Sequence, residues 1–251
     1  MSLHRLFSLA ALAAFVASST VFAASPDDGK GQAALEAASQ ANKFCFLLFY
    51  KANDPATQAA AKTLSEGMAK RTDRATYTYV NVADPKEQAF VKQFDVARAA
   101  MPIMMAVAPN GAITGVFPKP FTDAELDKAF VTPGMTQVMK QMQNGKMVLI
   151  CIRPGAVTQL PAGVAQFAAD PQFNTRSAVV TMRIDDPTEA QFIKELEIKP
   201  AHAFDTAVVF LAPPGAMVGK YAGNVTKAQL AADLHKAGKC CDDPNCKHNK
   251  K

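Results

Sequence analysis

Apolar residues fall in short blocks along the chain, and the blocks set its element order. Cys45–Tyr50 and Met147–Ile152 are unbroken apolar runs of strand length, bounded by polar residues. A helical stretch precedes each, Gln32–Asn42 in one case and Thr136–Asn144 in the other. After the first strand Asp54-Pro55 starts a helix. Asp serves as N-cap and Pro takes the first helical position, and the Ala-rich body runs to about Lys70. Its later counterpart contains Pro161 and Gly163, which predicts a shorter or broken helix. Strands follow at Tyr77–Val82 and Ala178–Ile184. Further pairs are Ile103–Ala108 with Ile113–Phe117 and Ala207–Ala212 with Met217–Tyr221. They close through turns at Pro109-Asn110-Gly111 and Pro213-Pro214-Gly215.

These blocks recur because the chain is duplicated. Residues 80–96 align without gaps on 182–198, so that Asp84, Pro85, Glu87, Phe90 and Lys92 return as Asp186, Pro187, Glu189, Phe192 and Lys194. Further on, Gly115, Thr122, Ala124 and Leu126 match Gly219, Thr226, Ala228 and Leu230. Asp84-x-x-Glu87 and Asp186-x-x-Glu189 read as capping boxes, in which cap and third-position Glu satisfy each other's N–H groups. Thr122-x-x-Glu125 and Thr226-x-x-Gln229 cap the last helix of each copy. The order is α-β-α-β-α-β-β-α, twice. It predicts an α/β fold with a mixed central sheet flanked by helices in each of two tandem units, 24–131 and 132–239.

That order, with Met101-Pro102 entering the third strand, resembles the thioredoxin fold superfamily over nearly the whole chain after residue 23. The resemblance implies a cis proline at Pro102, facing the helix that begins at Asp54. It also implies a groove around Asn53, Asp54, Met101 and Pro102 that binds extended peptides. The family places Cys-x-x-Cys where the first strand meets the next helix, because the helix N-terminus lowers a thiol pKa there. The corresponding residues here are Ala52-Asn53-Asp54-Pro55-Ala56-Thr57 and Arg153-Pro154-Gly155-Ala156-Val157-Thr158, with no cysteine in either. Thr57 and Thr158 are weak nucleophiles with no histidine nearby in sequence. Thr206 stands where the first copy has Pro102, so the Asp205–Thr206 bond is expected trans. Both thioredoxin-type sites are therefore expected to lack exchange chemistry.

Composition narrows the class. With 49% hydrophobic residues among 251, the chain can build packed cores. The net charge is only +5, and much of it sits in the last sixteen residues, so no nucleic-acid face is expected. His4-Arg5, the apolar Leu6–Ala17 and Val21-Phe22-Ala23 form the pattern of a secretory signal over 1–23, cleaved after Ala23. The expectation is a bacterial protein exported to the periplasm or beyond, with no membrane span after cleavage and a protein or peptide partner.

Five cysteines remain to be placed. Cys45 and Cys151 lie in apolar strands and read as buried small hydrophobes. Met101, Met104 and Met105 likewise read as core, as do Met135, Met139 and Met142 at helical spacing. The tail 240–251 differs, since Cys240, Cys241, Cys246 and His248 crowd into nine residues among lysines. Three chemistries fit it. One is a disulfide among Cys240, Cys241 and Cys246, with the pairing open. The second is a Zn or Cu site with those three cysteines and His248 as ligands. The third is thiol exchange by the tail itself. The leading expectation is a non-catalytic peptide-binding or scaffold module, and the alternative is a thiol-disulfide or soft-metal handling protein working through the tail.

Overall fold

Seven apolar residues, Phe44–Tyr50, form β1, and the period of two in a strand sends them alternately to opposite faces. Cys45, Leu47 and Phe49 enter one core, with Phe90 and Val91; Phe46 and Leu48 enter the other, with Leu64, Met68 and Leu126. A strand buried on both sides has no polar position to spare, which is why the run is unbroken. Leu47 and Leu48 are both essentially unexposed. Truncating either to Ala would cost about 2–5 kcal/mol, from lost burial plus the cavity left behind.

The computed structural model describes residues 29–118, 120–155, 157–198 and 206–238. The expected signal segment 1–23, the Asp205–Thr206 bond and the tail with Cys240, Cys241, Cys246 and His248 lie outside the described residues. The first unit runs α1 (Lys30–Gln40), β1, α2 (Pro55–Ala69), β2 (Ala75–Asn81), α3 (Gln88–Gln93), β3 (Ile103–Val107), β4 (Ile113–Phe117) and α4 (Asp123–Asp127). The second repeats it as α5 (Pro133–Gln143), β5 (Met147–Arg153), α6 (Ala162–Ala169), β6 (Ser177–Arg183), α7 (Ala190–Glu195), β7 (Ala207–Ala212), β8 (Ala216–Ala222) and α8 (Lys227–Gly238).

The two sheets have the orders β2-β1-β3-β4 and β6-β5-β7-β8. In each the first pair is parallel, Phe46 opposite Tyr77 and Leu149 opposite Val179, and the rest are antiparallel. These are two tandem thioredoxin-like α/β domains. The Met101–Pro102 bond is cis, as the resemblance implies, and a second cis bond joins Pro213 to Pro214.

One expectation needs correction. The pairs Asp84/Glu87 and Asp186/Glu189 are not capping boxes. Asp84 accepts the N–H of Lys86 and Asp186 that of Thr188, both at 2.9 Å, in tight turns two residues long. The freed glutamates reach another helix. Glu87 accepts the Gly31 N–H at 3.1 Å, and Glu189 accepts the Gly134 N–H at 2.6 Å. Each carboxylate thus satisfies the first turn of the helix that opens its own domain, where N–H groups have no intrahelical acceptor. Gly31 and Gly134 permit the approach: a Cβ on Gly31 would lie 2.6 Å from the Phe90 ring, and one on Gly134 would lie 2.8 Å from Glu189.

The expected shortening of α6 is observed, with 8 residues against 15 in α2. Pro161 does not break it but precedes it, and the helix starts only at Ala162, after a loop. The Arg153–Thr158 segment is therefore not the helix N-terminus that the alignment suggested.

Each domain ties its second helix to its last by an ion pair. Lys70, at the end of α2, meets Asp123, the first residue of α4, at 2.9 Å; Asp170, at the end of α6, meets Lys227, the first residue of α8, at 2.6 Å. The charges are reversed between copies. The first domain adds Arg71, whose side chain is 6% exposed. Its guanidinium grips Asp127 with two bonds of 2.9 and 2.7 Å and Asp123 with one of 2.6 Å, and also donates to the Gly67 carbonyl. In the second domain Phe173 instead stacks on Phe167 at 4.1 Å.

The domains meet where α5 crosses the free edge of β4. The Gln143 amide both accepts the Ile113 N–H, at 2.9 Å, and donates to the Ile113 carbonyl, at 2.7 Å. It pairs with the strand edge as another strand's backbone would, and Lys140 adds a bond to the Gly111 carbonyl.

Candidate functional site

The β1–α2 junction positions the first site. Asp54 is extended and its carboxylate accepts the Thr57 N–H at 2.8 Å, with Pro55 at the first helical position. Those hydrogen bonds from Thr57 hold the Asp54 carboxyl below its usual range. A carboxylate thus occupies the helix end where a thiolate would need stabilisation. A groove of about 270 Å³ lies along the first turns of the same helix. It is lined by Ala56 and Ala60 of α2, by Met101 and cis Pro102, and by Pro120 and Phe121. Of the four residues expected there, Met101 and Pro102 line the groove. Asn53 and Asp54 stand outside its wall at the exposed start of α2.

Sequence reasoning missed Thr63, the polar residue of this lining, and Pro118, Pro120 and Phe121 after β4. The helical spacing of Ala56, Ala60 and Thr63 was the available signal for one wall. Nothing local marked the residues after β4.

The thiols of the described residues are remote from both junctions. Cys45 and Cys151 are fully buried in β1 and β5, and burial pushes each thiol up to about 12. They are not equivalent to one another: Cys45 faces the α1 side of its sheet, whereas Cys151 faces the α6 side. Such thiols stay protonated at neutral pH and have no route to a substrate disulfide. Met104 is fully buried and Met105 nearly so, which makes them core and not ligands. Among the described residues no group of three or more His, Cys, Asp or Glu is placed to hold a metal ion, and no helix is long and apolar enough to cross a membrane.

The second domain has a wider cavity in the corresponding place, about 430 Å³. Its lining is more polar, with Gln159, Thr206 and Asn224 beside Leu160 and Pro161. Thr206 precedes β7 as Pro102 precedes β3, so the duplication is visible in the site as well as in the sheet.

No family model and no curated protein matches the chain. Solved structures do. The first two thioredoxin domains of Naumovozyma dairenensis Eps1p match 84% of this chain and 96% of their own at 11% identity, with a TM-score of 0.32. Human ERp44, form II, matches over 86% of this chain and 59% of its own at 9% identity, with a TM-score of 0.39. A thioredoxin from Thermus thermophilus matches over 48% of this chain and 95% of its own at 18% identity, with a TM-score of 0.31.

Proposed function

We propose, from the tandem thioredoxin-like fold, that this is an exported module that binds extended segments of other proteins and performs no disulfide exchange at either thioredoxin-type site. One observation carries the reading: the helix end at the first junction holds the Asp54 carboxylate, beside an apolar groove closed by cis Pro102. The groove offers apolar contact along Met101 and Ala60 without a nucleophile, which suits capture and release.

Binding is tested with a fluorescently labelled insulin B chain, S-alkylated and C-terminally amidated, by anisotropy. Saturable binding that weakens at least tenfold in Ala60→Phe, which fills the groove, supports the reading. No binding at millimolar protein overturns it.

The second reading assigns thiol-disulfide or Zn or Cu handling to the tail, and it stands on the clustering of Cys240, Cys241, Cys246 and His248. Insulin reduction separates the two. Activity that disappears on deleting 240–251 would replace the first reading with the second. Metal titration of the reduced protein, with and without His248→Ala, tests the metal form of it.

A further inference from the structure

The chain covers one sheet edge with its own helix and leaves the equivalent edge bare. In the first domain Gln143, the last residue of α5, takes both backbone groups of Ile113 at the edge of β4. The second sheet has Met217 where the first has Ile113. Val107 pairs with Ile113 and Leu211 with Met217, each beside a register shift. β8 is the end strand of its sheet and has no strand on its outer side among the described residues. Ile113 is half-buried, whereas Met217 is 46% exposed.

A helix that fits this edge lies at the other end of the chain. α1 and α5 each have 11 residues and align end to end, so Gly31 falls on Gly134 and Gln40 on Gln143. Two positions further on, both segments turn through a residue of positive φ, Asn42 and Gly145. Gln40 thus ends its helix as Gln143 does, and it is exposed. Its amide offers one acceptor and two donors, which match the N–H and carbonyl of an outward-facing strand residue. Gln40 and Met217 are not bonded to each other within one molecule, so the match is made between molecules.

We propose that the free edge of β8 receives α1 of a second copy of this chain, with Gln40 bonding the Met217 N–H and carbonyl as Gln143 bonds Ile113. The contact joins two different surfaces. Every assembly therefore keeps one unused α1 and one unused β8, and growth continues past a pair unless a ring closes. Lys140, which adds a bond to the Gly111 carbonyl, corresponds to Ala37 in α1, so the contact between copies is one bond poorer. It also lacks the covalent link that sets an effective concentration of about millimolar. Self-association is accordingly weak. Lys220 places a charge on β8, which opposes direct pairing of two such edges and favours the helix as occupant. Gln40 and Met217 line neither cavity, so the proposal stands apart from the groove.

The test is sedimentation velocity on the full chain with thiols kept reduced, from about 10 μM to about 1 mM. The weight-average mass is expected to rise continuously past that of a dimer. Gln40→Ala, a change on an exposed helix end, is expected to weaken association at least tenfold. Met217→Pro removes the edge N–H, at an edge position where proline is tolerated, and is expected to act likewise. Mixed together, the two variants are expected to form a one-to-one dimer and stop there, because each supplies the surface the other lacks. A second measurement does not depend on the proline variant folding: the Met217 amide signal in NMR should move with concentration in the wild type and stay still in Gln40→Ala. A mass that stays monomeric at about 1 mM, or association unchanged in Gln40→Ala, would overturn the proposal. A mixture of folded variants that associates no better than its parts would do the same.

Discussion

Glu189 and Gly134 lie 55 residues apart and are joined by a 2.6 Å hydrogen bond from the glycine N–H to a buried carboxylate, and Glu87 repeats the arrangement with Gly31. In each domain the turn after the second strand therefore carries the cap of the opening helix. The other Glu189 oxygen is buried without a partner. The arrangement holds only while helix and turn stay together, so the two form one cooperative unit.

Removing the carboxylate should expose this coupling. Glu87→Ala leaves first-turn N–H groups of α1 facing a dry space and is expected to cost about 1–3 kcal/mol. Glu87→Gln keeps an acceptor and should cost less. Urea unfolding of both variants checks the order, and equal losses would contradict the capping role.

Arg71 makes a pH-dependent contribution. Its guanidinium, first by hydrogen bonding and then by charge, holds Asp123 and Asp127 below the ordinary value of 3.8. A carboxyl depressed in the folded state stabilises fully above its unfolded pKa, and that stability is lost as pH falls through the folded value. Arg71→Met should cost about 2–3 kcal/mol at pH 7, through lost charge-assisted bonds. The gap between wild type and variant should narrow steadily below pH 3.8. Urea titrations at pH 7 and pH 3 measure it; a gap that widens in acid would refute the assignment.

Gln143→Ala removes both bonds to Ile113 and uncovers the β4 edge. Hydrogen exchange should show the Ile113 amide losing protection at least tenfold, while amides in the centre of β5 stay protected. Unchanged exchange at Ile113 would mean that the amide contact is not what seals the edge.

Cys45 and Cys151 should resist alkylation in the native protein. A thiol at about 12 is roughly one part in ten thousand thiolate at pH 8, and burial removes access as well. Iodoacetamide followed by mass spectrometry should leave both unmodified until urea is added. Rapid native labelling of either would contradict their burial.

Much of this was legible in the sequence because it is periodic or local. Apolar runs such as Phe44–Tyr50 have few alternatives to a doubly buried strand, and the recurrence of Asp84-Pro85 as Asp186-Pro187 exposed the duplication. The Thr122/Glu125 box also formed as its spacing predicts, with both reciprocal bonds. The same spacing misled at Glu87 and Glu189. A turn that closes after two residues spends the Asp oxygen early and leaves the Glu free for a donor far along the chain. The only hint was a glycine near the start of each opening helix, Gly31 and Gly134, where a side chain would block that approach. Pro161 was ambiguous for a related reason: proline breaks a helix interior but fits just before one, and here it stands at the N-cap of α6. Gln143 gave no signal at all, since its partner is the backbone of another domain.

The reversed ion pairs bear on how a chain with two similar halves assembles. If α4 settled on the second sheet, Asp123 would face Asp170; if α8 settled on the first, Lys227 would face Lys70. Both exchanges oppose like charges, and between neighbouring molecules the same bar holds. Each half thus carries its own polarity as an address, a small bias per contact that favours the pairing within each half over exchange with its twin.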